Sequence, residues 1–202
     1  MKMLHKFADK SAKILLKNIN NPNYEKEVYV YGIEIIASTL MNLLSIILLS
    51  LIVGDVKAGV IFLLFFIPLR LFAGGYHADT YGKCFVIGNV SYVIVHVLYK
   101  LSYRYLHIEW FLLLGAMCMY YIFLHAPVVN ENQPISVEKQ KLNRRMVRIF
   151  LIMDILVSVC MWLNNQNLLY MVVLSVCLMT VFMIITKIEK GGEENGTIIE
   201  SH

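Results

Sequence analysis

Apolar residues along this 202-residue chain gather into six runs, separated by short polar stretches. The runs cover 33–53, 56–69, 85–98, 111–129, 149–163 and 168–185. The first and fourth are long enough to span about 30 Å of hydrocarbon, and the sixth nearly so. The fifth reaches that length with the flanking Met146 and Val147. The second and third hold about fourteen residues each, which suits a short span or a re-entrant segment equally well. Either way the chain returns to the same side before residue 111. The pattern therefore predicts an all-α polytopic membrane protein. It has about six apolar segments, four clear spans plus two short spans or re-entrant segments, in one domain over 1–202.

Residues 1–31 read differently. Leu4, Phe7, Ile14 and Leu15 alternate with Lys2, Lys6, Lys10, Lys13 and Lys17. A basic helix with an apolar stripe is expected to lie on an anionic inner leaflet. The break at Asn20-Asn21-Pro22-Asn23 is expected to end it. This lysine-rich start lacks the continuous apolar core of a cleavable signal peptide. At the other end, 186–202 contains Gly191-Gly192 and several acids, and reads as a disordered cytoplasmic tail.

Composition agrees with the pattern. The chain is 58% hydrophobic and 16% charged, with a mean hydropathy of +0.64; soluble domains are about a quarter charged. The charges also orient it. If all six runs span, one side receives both termini and the loops 70–84 and 130–148, with 15 of the 18 Lys and Arg residues. The other side has Lys57, Lys100 and Arg104. Basic residues stay inside, so both termini and the 70–84 loop are expected in the cytoplasm of a cell-membrane protein.

Candidate chemistry begins with four cysteines. Cys118, Cys160 and Cys177 lie within apolar runs and read as small buried hydrophobes. No CxxC pair occurs, so neither a zinc ribbon nor a redox motif is supported. Cys84 differs, because it follows Arg70-Leu-Phe-Ala-Gly74-Gly75-Tyr-His77 closely, between two apolar runs. A thiol attacks a peptide carbonyl only as thiolate, and its ordinary pKa near ~8.5 leaves few thiolates at neutral pH. A neighbouring histidine can take that proton and later give it to the leaving amine. On one straight helix, residues seven apart would be separated by ~10.5 Å, too far for proton transfer. A bend within 75–82 is therefore expected, enabled by Gly74, Gly75 and Gly82. A helix starting near Cys84 would set a positive dipole end beside the thiolate. Only two metal ligands are local, and zinc needs three or four, so no metal and no cofactor is expected.

Other polar residues carry weaker signals. Arg70 reads as a snorkelling cation, a binder of substrate carboxylate or a support for the loop. Glu34, Asp154 and Asn89 are costly in apolar runs unless paired, and could line a permeation path. Asp79 or Asn89 could orient the histidine. His96, His107 and His125 read as packed or interfacial. Ser38, Thr39, Asn42 and Ser45 form a polar face suited to helix packing. Lys139, Lys141, Arg144, Arg145 and Arg148 suit both a topology signal and a docking surface for an acidic peptide. The residues alone leave three classes open: a cysteine endopeptidase, a peptide exporter or small-solute permease, and a structural partner of a sensor kinase.

The pattern Arg70-x4-Gly75-x-His77-x6-Cys84, with Ala73-Gly74-Gly75 before the histidine, resembles the accessory gene regulator B (AgrB) family of membrane endopeptidases. The resemblance extends to length, the polar N-terminal segment, the six apolar runs and a basic loop opened by Pro127. It implies that Cys84 is the nucleophile and His77 the general base, then acid. The implied substrate is an AgrD-type quorum-sensing propeptide with an acidic C-terminal tail. Cleavage would leave a thioester on Cys84, and a substrate cysteine or serine would displace it to close a thiolactone or lactone ring. The resemblance also implies a homodimer in contact with membrane lipids, with no nucleic-acid partner.

Overall fold

A computed structural model describes residues 2–17, 26–75, 80–128, 136–164 and 166–199. It contains seven α-helices among these residues: α1 (Lys2–Lys17), α2 (Lys26–Ile52), α3 (Val56–Ala73), α4 (Tyr81–Tyr105), α5 (Ile108–His125), α6 (Val137–Asn164) and α7 (Gln166–Ile199). Six of them, α2 to α7, are long and apolar enough to cross a membrane. The chain is an all-α polytopic membrane protein. In hydrocarbon no water can satisfy backbone N–H and C=O groups, so long apolar runs close their hydrogen bonds internally as helices.

The re-entrant alternative for the second and third runs is not seen. Each lies within one continuous helix of 18 (α3) and 25 (α4) residues, rising about 27 and 37 Å. The helices outlast their apolar runs because Arg70, Lys100 and Arg104 continue them, and long cationic side chains can reach the interface from a buried stem. Two further expectations shift. The segment 1–31 is not one unit, since α1 stops at Lys17 and Lys26 already opens α2. The segment 186–199 continues as the end of α7, where a disordered tail was expected.

The core centres on α7 packed against α3. The α7 span is 61% buried and the α2 span 11%, so α7 is the interior helix and α2 the outermost of the six. Met171, Val172, Val176, Met179 and Met183 of α7 are buried in one cluster with Phe62, Phe66 and Leu69 of α3. Apolar burial adds little here because lipid tails are as apolar as leucine; close packing and polar contacts hold the helices. One such contact joins α2 to α4. Asn89 Nδ2 donates to Asn42 Oδ1 at 3.1 Å, and Ser45 donates to Asn89 Oδ1 at 2.8 Å. A Cβ on neighbouring Gly88 would stand 2.4 Å from Asn42 Nδ2. Gly88→Ala is therefore expected to displace Asn42 and lower stability by about 1–3 kcal/mol. A thermal scan in detergent reads this directly, and an unchanged midpoint would show that Asn42 yields freely.

At the far end, Asp55 caps α3 by accepting from Ala58 N at 3.2 Å and pairs with Lys100 at 2.5 Å. Burial pushes the Asp55 carboxyl up, but the hydrogen bonds from Lys100 and Ala58 outweigh it and hold the carboxyl below its usual range. At the end carrying the termini, α1 lies on α2. Ala8 and Ala12 are buried with Val30, and Asp9 pairs with Lys13 and Lys26. Hydrogen bonds from these two lysines hold the Asp9 carboxyl down at about 2. Phe7, Ile14 and Leu15 stay 49–61% exposed, an apolar stripe of the kind that rests on lipid.

Candidate active site

The end of α3 and the start of α4 build this site. Gly74 closes α3 with φ 75° and ψ −148°, and Gly75 follows at φ 108°. Both angles are strained for a residue with a side chain. The positive-φ pair turns the chain beneath the bundle. There Gly74 forms a single parallel bridge with Val128, whose N–H donates to the Ala73 carbonyl at 2.8 Å. The segment after α5 thus pins the exit of α3. Past the turn, Thr80 caps α4, its hydroxyl accepting from Lys83 N at 3.2 Å. Because α4 begins at Tyr81, Cys84 sits in its first turn, at the positive end of the helix dipole.

Arg70 and Cys84 come together across the turn. Arg70 Nη2 lies 3.7 Å from Cys84 Sγ, within the reach of a hydrogen bond to sulfur. The guanidinium is gripped by two rings, with its carbon 5.6 Å from the Phe66 centroid and 5.0 Å from that of Phe182. This cation–π clamp fixes the fork while α7 closes the site from the side. Gly75 also packs on α7: a Cβ there would meet Met179 Cε at 3.3 Å and the Phe182 carbonyl carbon at 3.4 Å. The arrangement holds a fixed guanidinium 3.7 Å from the sulfur at the start of a helix.

His77 and Asp79 lie outside the described residues. Asn89 does not orient the histidine. Its amide nitrogen donates to Asn42 Oδ1 and to the Phe85 carbonyl, and its oxygen accepts from Ser45, so the group is spent on the α2–α4 contact. Glu34 is likewise engaged, 2.7 Å from His5 Nδ1 and hydrogen-bonded to Tyr81. Two of the three intramembrane polar candidates for a permeation path thus hold helices together. Asp154 is buried on α6, with Oδ2 lacking a hydrogen-bond partner among the described residues. His96 packs between the Tyr92 and Tyr99 rings, and His125 stacks on Tyr121.

Lys139, Lys141, Arg144, Arg145 and Arg148 belong to the first turns of α6 rather than to a loop, and all are exposed. Arg148 lies over Phe123 of α5, 5.0 Å from its centroid. Five exposed cations on one helix start, with Lys139 in the first turn also opposing the dipole, suit an anionic partner. The sequence reading missed the Phe66–Phe182 clamp and the Val128 bridge, which need the fold to be seen.

A sequence model of the family described as Accessory gene regulator B matches residues 8–184. The chain is 25% identical over 173 residues to "Putative AgrB-like protein 2" of Clostridium perfringens (strain 13 / Type A), covering 81% of this chain and 80% of the relative. It is 26% identical over 178 residues to "Putative AgrB-like protein" of Clostridium perfringens (strain SM101 / Type A), covering 83% of each chain. A third relative, "Putative AgrB-like protein" of Lactiplantibacillus plantarum (strain ATCC BAA-793 / NCIMB 8826 / WCFS1), is 25% identical over 193 residues, covering 96% of this chain and 94% of its own. No solved structure matches the chain.

Proposed function

The chain belongs to the accessory gene regulator B family, which acts in agr quorum sensing, and from that premise we propose that it is a membrane cysteine endopeptidase that matures an AgrD-type propeptide. The observation that carries this reading is the clamped Arg70 guanidinium 3.7 Å from Cys84 Sγ, in the first turn of α4.

In this reading His77 takes the thiol proton, and the Cys84 thiolate attacks the carbonyl that joins the future signal to its tail. The C–N bond breaks, His77 protonates the leaving amine, and an acyl thioester remains on Cys84. A thiol or hydroxyl of the substrate then attacks the thioester. The bond to Cys84 breaks and a thiolactone or lactone ring closes. Water must be kept out, because hydrolysis would give a linear peptide; the apolar α3, α4 and α7 around Cys84 serve that end. Lys139, Lys141, Arg144 and Arg145 receive the acidic tail, while α1 rests its apolar stripe on the lipid of the cytoplasmic leaflet. Both termini face the cytoplasm, and the protein works as a homodimer in the cell membrane.

The test is an intact mass spectrum of the protein in nanodiscs after incubation with its AgrD-type propeptide. The expected result is an adduct of the N-terminal part of the propeptide, labile to hydroxylamine. Unmodified enzyme beside intact propeptide, across several lipid mixtures, would sink the reading. Arg70 offers a separate check. Arg70→Gln is expected to slow adduct formation about 10²-fold by removing a preorganised cation 3.7 Å from the reacting sulfur. Arg70→Lys keeps the charge without the planar fork and is expected to recover part of that loss. Equal loss in both variants would assign Arg70 a packing role.

A further inference from the structure

Two cysteines that the chemistry above does not use meet in the middle of the bundle. α5 and α7 approach closely at Gly115, where a Cβ would stand 3.0 Å from Val173 Cγ2. One turn further along both helices, Cys118 Sγ and Cys177 Sγ are 3.4 Å apart. The Cys118 carbonyl accepts from the Thr180 hydroxyl at 3.5 Å, which adds a second tie at the same level. Both thiols are free and only partly buried. Cys118 lies seven residues before the His125 end of α5, about 10.5 Å along the axis. That depth is hydrocarbon, where charged, water-borne oxidants and reductants are excluded.

We propose that Cys118 and Cys177 form a membrane-embedded dithiol that closes reversibly to a disulfide, with a lipid-soluble quinone as the electron acceptor. Two S–H bonds break and one S–S bond forms. The two protons and two electrons released reduce the quinone to its hydroquinone. The sulfurs must close from 3.4 Å to ~2.05 Å, a movement within the reach of side-chain rotation. A quinone fits because it dissolves where the thiols are and carries two electrons at once. The bond would staple α5 to α7. Since α7 presents Phe182 to Arg70 and Met179 to Gly75, the redox state of the pair then governs how freely one wall of the site can move. That last consequence rests on the endopeptidase reading, whereas the dithiol chemistry stands apart from it.

The experiment uses full-length Cys84→Ala/Cys160→Ala protein in nanodiscs, which leaves only the pair. Samples are treated with decylubiquinone, with the water-soluble oxidant diamide, or with neither. They are then denatured in N-ethylmaleimide and read by intact mass and non-reducing peptide mapping. With the quinone, maleimide uptake is expected to fall from two to none. A Cys118–Cys177 linked peptide should appear, and dithiothreitol should restore both uptakes. Full alkylation of monodisperse protein after both the quinone and diamide overturns the proposal. A link formed with diamide but not with the quinone overturns the acceptor. A link between two copies overturns the assignment of the pair to one chain. None of these readouts needs the propeptide, so failure here leaves the endopeptidase reading standing.

Discussion

Cys84→Ala is expected to leave the protein inserted and monodisperse while lowering propeptide cleavage by about 10³-fold or more, the scale seen when a covalent nucleophile is removed. The fold should tolerate the change. Cys84 is partly buried in the first turn of α4, and that turn is held by backbone and cap contacts: Cys84 N donates to the Thr80 carbonyl at 3.0 Å, and Lys83 N to the Thr80 hydroxyl at 3.2 Å. Neither contact uses the thiol. Alanine is also a better helix former than cysteine. The hydroxylamine-labile adduct should vanish together with cleavage. If the variant processes propeptide at the normal rate, the nucleophile is elsewhere and transport or scaffolding becomes the better reading. A cleavage assay by mass spectrometry, paired with size-exclusion of the same sample, separates loss of chemistry from loss of fold.

The second large effect is structural. Gly74→Ala places a Cβ 2.0 Å from the Val128 carbonyl oxygen, in backbone held at φ 75° and ψ −148°. That region is essentially reserved for glycine and costs about 1–3 kcal/mol for other residues. Relieving the overlap requires backbone movement, with a further cost of about 1–3 kcal/mol. The Gly74–Val128 bridge, with its hydrogen bond from Val128 N to the Ala73 carbonyl, should break. The chain that leads into His77 would then leave α3 in a different direction. A misplacement of about 1 Å at a reacting group can cost 10²-fold in rate, so cleavage should fall by about that factor and the thermal midpoint should drop. Gly82→Ala is the control, because nothing lies within 4 Å of the Cβ it would add. Equal behaviour of the two variants would remove the Gly74–Val128 bridge from the account of the site.

These two glycines show how far sequence reading reached. Gly74, Gly75 and Gly82 all read as sources of backbone freedom between His77 and its flanking helices. Glycine identity marks where a chain can turn, but it does not say which turn is used. Gly74 and Gly75 take positive φ, while Gly82 is an ordinary residue of α4. Asn89 gives the same lesson for polar groups. Its cost in an apolar run showed that it needed a partner. Whether the partner was the histidine or another helix depended on the rotation of α4 against α2, which no local pattern encodes.

By itself the sequence determined the membrane class, the existence of six apolar segments and the stretch from Arg70 to Cys84 as the place where chemistry could occur. Those properties are local, because bilayer thickness acts on consecutive apolar residues and backbone satisfaction acts within one segment. Only the tertiary structure decided that α7 is the interior helix, that Phe66 and Phe182 clamp Arg70 against Cys84, that Val128 pins the end of α3, and that Cys118 meets Cys177. Each of these contacts joins separate helices or segments, 59 positions apart in the case of the two cysteines. Where lipid is as apolar as the protein, hydropathy cannot choose between helix faces. Close packing at small residues and pairing of the few polar groups make that choice.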